Sequence, residues 1–382
     1  MQSIYLQGGE ELIIRLALKA FIGLFAIIFV LFLLVFLFVT FSPVIGRYPS
    51  RAMRLNYAER TPYYSNGRFR NMNEYSIMGD NRMEKSTTHV QPTGRIPVVK
   101  TDSIPPASES VPAITWLGHS SILLQKGGLN ILIDPILNQS VSPVSFMFIS
   151  RGRFSEIPIT TENLPFIDVV LISHGHYDHL DFDSIKKIDE KVGQYLVPLG
   201  TESYLMGWGV EKSKITNMAW WEEVESNNVN FAFVPALHYC IRNPFKAGQT
   251  WWGGFVVNDG LYTSYYTGDS GYDEEIFREI LNRYGAIDLL LPDTGQYSTN
   301  WPQSHMDPQQ VFKAAGDLQS KWVMPVHWGA FVLSDHNWYD PPQLLIKQAE
   351  ASTIKVITPL IGETVSYSEI ENYQQKWWED IE

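Results

Sequence analysis

A single cysteine, Cys240, in 382 residues excludes an internal disulfide framework and any cysteine-rich zinc module. A metal held by this chain must therefore rely on nitrogen and oxygen donors. Basic residues are also scarce: 29 Lys and Arg face 41 Asp and Glu, for a net charge of −12. The scarcity is uneven. Residues 1–41 balance at zero, and residues 42–70 hold six arginines against Glu59 alone; taking that +5 from −12 leaves −17 for the rest. A domain so acidic is a poor electrostatic partner for nucleic acid, which is bound chiefly by neutralising phosphates, so a nuclease is set aside. Internal repeats are absent as well. Apolar residues are not scarce: 45% hydrophobic and 13% aromatic content suffices for one large domain or two ordinary ones.

Charge is missing altogether from Ala20 to Phe41, a run of Phe, Leu, Ile and Val. As a helix it spans about 33 Å, close to the roughly 30 Å core of a bilayer, and a membrane-spanning helix is expected over residues 20–41. A cleaved signal would have a shorter apolar region, and Ser42-Pro43-Val44-Ile45 is a poor cleavage site. The expected organisation is a tail over 1–19, the membrane helix over 20–41, a basic linker over 42–62 and a hydrolase-type domain over 63–382. Arg47, Arg51, Arg54 and Arg60 outnumber Arg15 and Lys19, which orients the domain toward the cytoplasm. The arginines either hold anionic headgroups or form a solvated flank.

Past the linker, a polar, irregular stretch is expected from Gly79 to Pro112. Ile114 to Leu117, Ser121 to Gln125 and Leu129 to Asp134 read as strands broken by glycine. Asp183 is expected to cap a helix ending at Gly193. Tyr272 to Tyr284 is amphipathic and stops at Gly285, and Asp307-Pro308-Gln309-Gln310 has the form of a capped helix start. Strands such as Asp288 to Leu291 and Trp322 to Val326 alternate with these helices, giving a layered α/β domain.

The densest chemistry lies in Ile172 to Asp181, where His174, His176, Asp178 and His179 fit H-x-H-x-D-H just past the strand-like Phe166 to Ile172. Four donors at this spacing can feed two metals, and three imidazoles do not suit a nucleophilic triad. His238, Asp269 and His327 each follow another expected strand, Asn230 to Pro235, Leu261 to Tyr266 and Trp322 to Val326. Three such residues in one topological position complement the loop. His89 and His336 have no partner in the pattern and are expected at the surface.

With these residues in place the chain resembles the metallo-β-lactamase-fold hydrolases, in the branch containing N-acylphosphatidylethanolamine phospholipase D and its bacterial relatives. The resemblance runs from about Asn66 to Pro342. Beside the metal loop it includes Asn66-Gly67-Arg68-Phe69, Trp116-Leu117-Gly118-His119-Ser120, Ile133-Asp134-Pro135, Trp220-Trp221-Glu222, Gly268-Asp269-Ser270-Gly271-Tyr272, His305-Met306-Asp307-Pro308 and His327-Trp328-Gly329. It implies a four-layer αββα sandwich with two zinc ions, another divalent metal in one site being the alternative. His174, His176 and His238 would hold one ion, Asp178, His179 and His327 the other, with Asp269 and a hydroxide bridging them. Asp178 and His305 would be catalytic, His305 as proton donor or phosphate partner, or else as a residue orienting its loop. His119 and Asp134 would orient ligands or the fold. The implied reaction is phospholipase D-type cleavage of a lipid phosphodiester by the bridging hydroxide. Iron-binding relatives usually carry Glu where His176 stands.

Two departures weaken the phospholipid assignment. Where that branch usually reads Pro-Ile-Gly-Ala-Tyr, this chain reads Pro292-Asp293-Thr294-Gly295-Gln296-Tyr297, and Asn300 replaces an arginine that could meet phosphate. Asp293 adds negative charge. A lactonase or carboxylic-ester hydrolase and a non-catalytic, membrane-tethered metal protein are the other readings. The 51 aromatic residues suit either an acyl groove or, preferably, the core.

Overall fold

The computed structural model describes residues 2–73, 75, 89–143, 152–243 and 245–381, with side chains from residue 14 onward. The expected irregular stretch from Gly79 to Pro112 lies outside the described residues up to 88. The chain divides into two units, Met1–Ile45 and Gly46–Glu382. In the first, α1 (Gln2–Phe41) is helical throughout, including the expected tail. Its stretch Ile14–Phe41, 28 residues of mean hydropathy up to 3.4, is long and apolar enough to cross a membrane.

The second unit holds two seven-stranded sheets. One contains β3 (Ala113–Trp116), β4 (Ile122–Lys126), β5 (Leu129–Ile133), β6 (Ile167–Leu171), β7 (Val192–Pro198), β8 (Ile215–Met218) and β16 (Thr364–Ser366), in the order β16-β3-β4-β5-β6-β7-β8. The other contains β9 (Glu223–Ser226), β10 (Val229–Val234), β11 (Gly254–Asn258), β12 (Thr263–Tyr266), β13 (Leu289–Leu291), β14 (Trp322–Val323) and β15 (Lys355–Val356), neighbours in sequence order. Each sheet is antiparallel over its first four strands and parallel over its last four, sharing one strand.

Period-two alternation makes this a sandwich, because both faces of each sheet are apolar. Phe231 and Phe233 of β10 join Ile131, Ile133, Val169 and Leu171 in the core between the sheets. Ala232 and Val234 turn outward to α5 (Glu274–Tyr284), α6 (Pro308–Asp317) and α7 (Asp340–Ala349). Leu132 and Val170 turn outward to α3 (Phe182–Ile188) and α4 (Glu202–Gly207). The four layers are the αββα order expected. Nine tryptophans, Trp116, Trp220, Trp251, Trp252, Trp322, Trp328, Trp338, Trp377 and Trp378, enter the inter-sheet core, so the aromatics serve packing.

Several boundaries differ from the sequence expectation. Asp181, not Asp183, caps α3 by accepting from the Ser184 N–H, and Gly193 lies inside β7. Asp307 caps α6 with a full capping box, as the sequence indicates. The basic linker expected over 42–62 contains a helix, α2 (Arg51–Arg60). Tyr57 donates a 2.5 Å hydrogen bond to Glu202 and Arg60 pairs with Glu222, so α2 is tied to the domain by side chains rather than spanning a gap. A hairpin of β1 (Tyr64–Ser65) and β2 (Arg68–Phe69) follows, turning at Asn66-Gly67.

Candidate metal centre

The parallel halves of both sheets send their strand ends to one edge, the position where open α/β sheets collect ligands. The turn after β5 supplies Asp134, the loop after β6 supplies His174 to His179, and the turns after β12, β13 and β14 supply Asp269, Asp293 and His327. His238 follows the antiparallel β10 at the same edge. The backbone there is strained: His119, Asp134 and His327 have φ of 54°, 39° and 69°. Gly295 is required because a Cβ there would sit 1.8 Å from the His327 carbonyl oxygen.

All seven expected ligands converge in two adjoining pockets. In the first, His176 Nδ1 lies 2.9 Å from His174 Nε2 and 3.3 Å from His238 Nε2, and Asp269 Oδ2 is 3.6 Å from both His174 and His238. In the second, His179 Nε2 and His327 Nε2 are 3.4 Å apart, with Asp178 Oδ2 3.4 and 3.2 Å from them. Asp269 turns its other oxygen, Oδ1, to this pocket, 3.0 Å from His179 and 3.6 Å from His327. Although close to His179, that buried oxygen receives no aligned hydrogen bond. Ring nitrogens facing one another at such distances satisfy each other poorly as hydrogen-bond partners but fit a shared cation, as does a carboxylate with one oxygen in each pocket. The donor set of imidazole nitrogens and carboxylate oxygens therefore fits two metal ions.

Electrostatics separate the pockets. Burial, reinforced by neighbouring imidazoles, holds His174 and His238 well below the usual imidazole range and brings His176 down to about 4, which keeps their lone pairs free. In the second pocket burial pushes the same way but is outweighed. The Asp269 carboxylate, helped by Asp178 and Asp134 at His179 and by Asp293 and Asp178 at His327, holds His179 well up and His327 at about 10. Burial would raise Asp178 and Asp269, yet His179 and its neighbours keep both well below the carboxylate range. This pocket draws positive charge, whether as protons or as a metal.

Buried partners hold the rings. His179 Nδ1 donates to Asp134 Oδ2 at 2.7 Å, and that carboxylate also accepts from Ser173 and from the Tyr266 hydroxyl. His119 Nε2 lies 3.0 Å from Asp178 Oδ2, and burial with His327 beside it lowers its imidazole to about 3. Both residues thus lie in contact with expected ligands, Asp134 with His179 and His119 with Asp178. Arg242, which sequence reasoning missed, is fully buried in the domain and donates to the Gly175 and Leu180 carbonyls, bracketing the metal loop. His305 lies at the rim with Nδ1 2.7 Å from Asp293 Oδ2 and its ring stacked 5.2 Å from that of His327. Asp293 accepts from His327 Nδ1 through its other oxygen at 2.8 Å, so the negative charge it adds lies between two imidazoles. His336 departs from the surface expectation: it is part-buried, accepts from the Gln296 N–H and stacks on Tyr297. His89 is exposed, as expected.

Over the pockets lies a cavity of about 200 Å³ lined by His176, Asp178, Tyr239, Asp269, Gln296, Trp301, His305, His327 and Leu333. No lysine or arginine is among these described residues.

Fold and site together define the class: a metal-dependent hydrolase of metallo-β-lactamase fold. Residues 129–328 match the family described as β-lactamase superfamily domain. The chain is 32% identical over 321 residues to an uncharacterised protein of Mycobacterium tuberculosis, covering 81% of this chain and 85% of that one. It is 32% identical over 261 residues to the mitochondrial N-acyl-phosphatidylethanolamine-hydrolyzing phospholipase D of Saccharomyces cerevisiae, covering 65% of this chain and 55% of the yeast protein. Among solved structures, a possible metal-dependent hydrolase of Veillonella parvula aligns with a TM-score of 0.55 at 18% identity, over 67% of this chain and 99% of that one. The chain belongs to the β-lactamase superfamily.

Proposed function

We propose that this chain is a membrane-anchored, binuclear zinc phosphodiesterase of phospholipase D type, acting on N-acylphosphatidylethanolamine-like lipids. The observation that carries the reading is Asp269, which puts one oxygen in each of two donor pockets. His174, His176 and His238 would hold one ion and Asp178, His179 and His327 the other. Five imidazoles and two carboxylates without a thiolate suit zinc. Bound there, the ions would supply an activated water and neutralise charge on the phosphoryl oxygens.

The chain's own residues supply the rest. Asp134 and Ser173 fix the His179 ring, and His119 fixes one oxygen of Asp178. Asp178 lines the cavity and also meets His119, His179 and His327, so it would orient the attacking side. His305, committed through Nδ1 to Asp293, presents Nε2 to the cavity, where it would take up the proton the attacking water releases and pass it to the departing head-group oxygen. Trp301, Leu333 and Tyr239 wall the cavity and limit water. The apolar stretch of α1 would keep the domain at a membrane, where such lipids reside.

The cavity's lack of a cationic side chain among the described residues favours a second reading, a lactonase or ester hydrolase, in which a carbonyl replaces the phosphodiester. The test uses the full-length chain in detergent, with its metals measured, on N-acylphosphatidylethanolamine, bis-p-nitrophenyl phosphate and a lactone panel. Release of phosphatidic acid and N-acylethanolamine by a chain carrying two zinc ions is expected. Lactone turnover without diester cleavage would select the second reading, and two irons would overturn the zinc assignment.

A further inference from the structure

We propose that Asp293 is a positioning residue for two imidazoles at once, its single carboxylate fixing the ring orientation and tautomer of both His327 and His305. The inference rests on the reading of this site as a metal-dependent hydrolase. An ionised carboxylate only accepts hydrogen bonds. Its Oδ1 lies 2.8 Å from His327 Nδ1 and its Oδ2 2.7 Å from His305 Nδ1, so both Nδ1 atoms carry the hydrogen. His327 is thereby left with Nε2 for the second pocket, and His305 with Nε2 for the cavity.

The placement is built rather than incidental. Asp293 is 1% exposed, and a buried carboxylate costs several kcal/mol unless it is bonded on all sides. Its backbone N–H donates to Thr267 Oγ1 at 2.9 Å, and the Ser270 N–H approaches Oδ2 at 3.4 Å. A parallel bridge to Val326 sets it beside the residue that precedes His327. The two rings it serves stack at 20° with centroids 5.2 Å apart, so one carboxylate spans both edges. Where the resembled branch has isoleucine, an aliphatic side chain could do neither task; the device belongs to this chain's Pro292-Asp293-Thr294 turn.

The test uses the full-length chain in detergent with Asp293→Asn, Asp293→Glu, His305→Ala and the Asp293→Asn/His305→Ala pair. The amide of Asp293→Asn can accept from one ring but must donate to the other, forcing one imidazole into the opposite tautomer at almost unchanged volume. Zinc affinity measured by chelator competition is expected to fall about 10- to 100-fold for one of the two ions. The kcat is expected to fall by a similar factor with KM within about threefold. His305→Ala is expected to keep both ions. Adding it to Asp293→Asn leaves the amide only His327 to serve, so its oxygen can accept from His327 Nδ1; the zinc affinity is expected to recover toward that of the unaltered chain, with kcat within about threefold of His305→Ala alone. Asp293→Glu keeps the charge but moves both oxygens by a methylene, so both ions are expected to stay while kcat drops at least about tenfold. It decides the matter if the asparagine variant does not fold. Wild-type zinc affinities and kcat in either variant, or losses that multiply in the pair, would overturn the proposal. The chelator readout needs no substrate, so it stands apart from the phosphodiesterase reading, which fails separately if the unaltered chain cleaves no diester.

Discussion

The two donor pockets share Asp269 but are held by different means, and the difference indicates which would hold a cation more tightly. The first consists of three imidazoles, two of them steadied by neutral oxygens: His174 Nδ1 meets the Ser173 hydroxyl and His238 Nδ1 donates to the Ser304 carbonyl, both at 3.0 Å, while His176 Nε2 meets the Ile241 N–H at 3.2 Å. The second adds Asp178 as a direct donor and has a carboxylate behind each ring, Asp134 on His179 and Asp293 on His327. A carboxylate behind an imidazole fixes its tautomer and raises its basicity. The second pocket is thus the stronger electrostatic trap, consistent with His179 and His327 being held up while His174, His176 and His238 are held down.

Removing what the pockets share should have the largest effect. Asp269→Asn is expected to lower affinity for both ions and to reduce kcat on the order of 10³-fold or more, read by metal analysis and turnover on the same sample. His176→Ala should break the symmetry: one ion lost, the other kept, and kcat down roughly 10²- to 10³-fold. Two ions retained with normal turnover would contradict the assignment of His176. Asp134→Asn sharpens the contrast from the other side, with an expected loss of about 10- to 100-fold in affinity confined to the second pocket. Smallest, and outside both pockets, Tyr57→Phe should leave metals and turnover unchanged. It should cost about 1.5–3 kcal/mol of stability in a denaturant titration, because Glu202 loses a buried donor.

The candidate donors were legible because they announce themselves: His174, His176, Asp178 and His179 fall within six residues, and His238, Asp269 and His327 each follow a strand. The apolar alternation of β6 and β10 likewise carries the sandwich. What the sequence hid are the partners behind the donors. Asp293 meets rings 12 and 34 residues away, and locally it is only a carboxylate where a neutral residue was expected. Arg242 reads as an ordinary cation, yet it is buried on the carbonyls of the metal loop 62 and 67 residues back. The linker expected over 42–62 conceals a docked helix because Tyr57 and Glu202 lie 145 residues apart. Long-range polar pairs leave no periodic trace in sequence, whereas strand alternation and clustered ligands do.

Anomalous diffraction at the zinc edge, from crystals of the full-length chain grown with zinc, tests the central claim most directly. Two peaks are expected, one among His174, His176 and His238 and one among Asp178, His179 and His327, each within bonding distance of a different oxygen of Asp269. A single peak remote from Asp269, or none at these residues, would contradict the account.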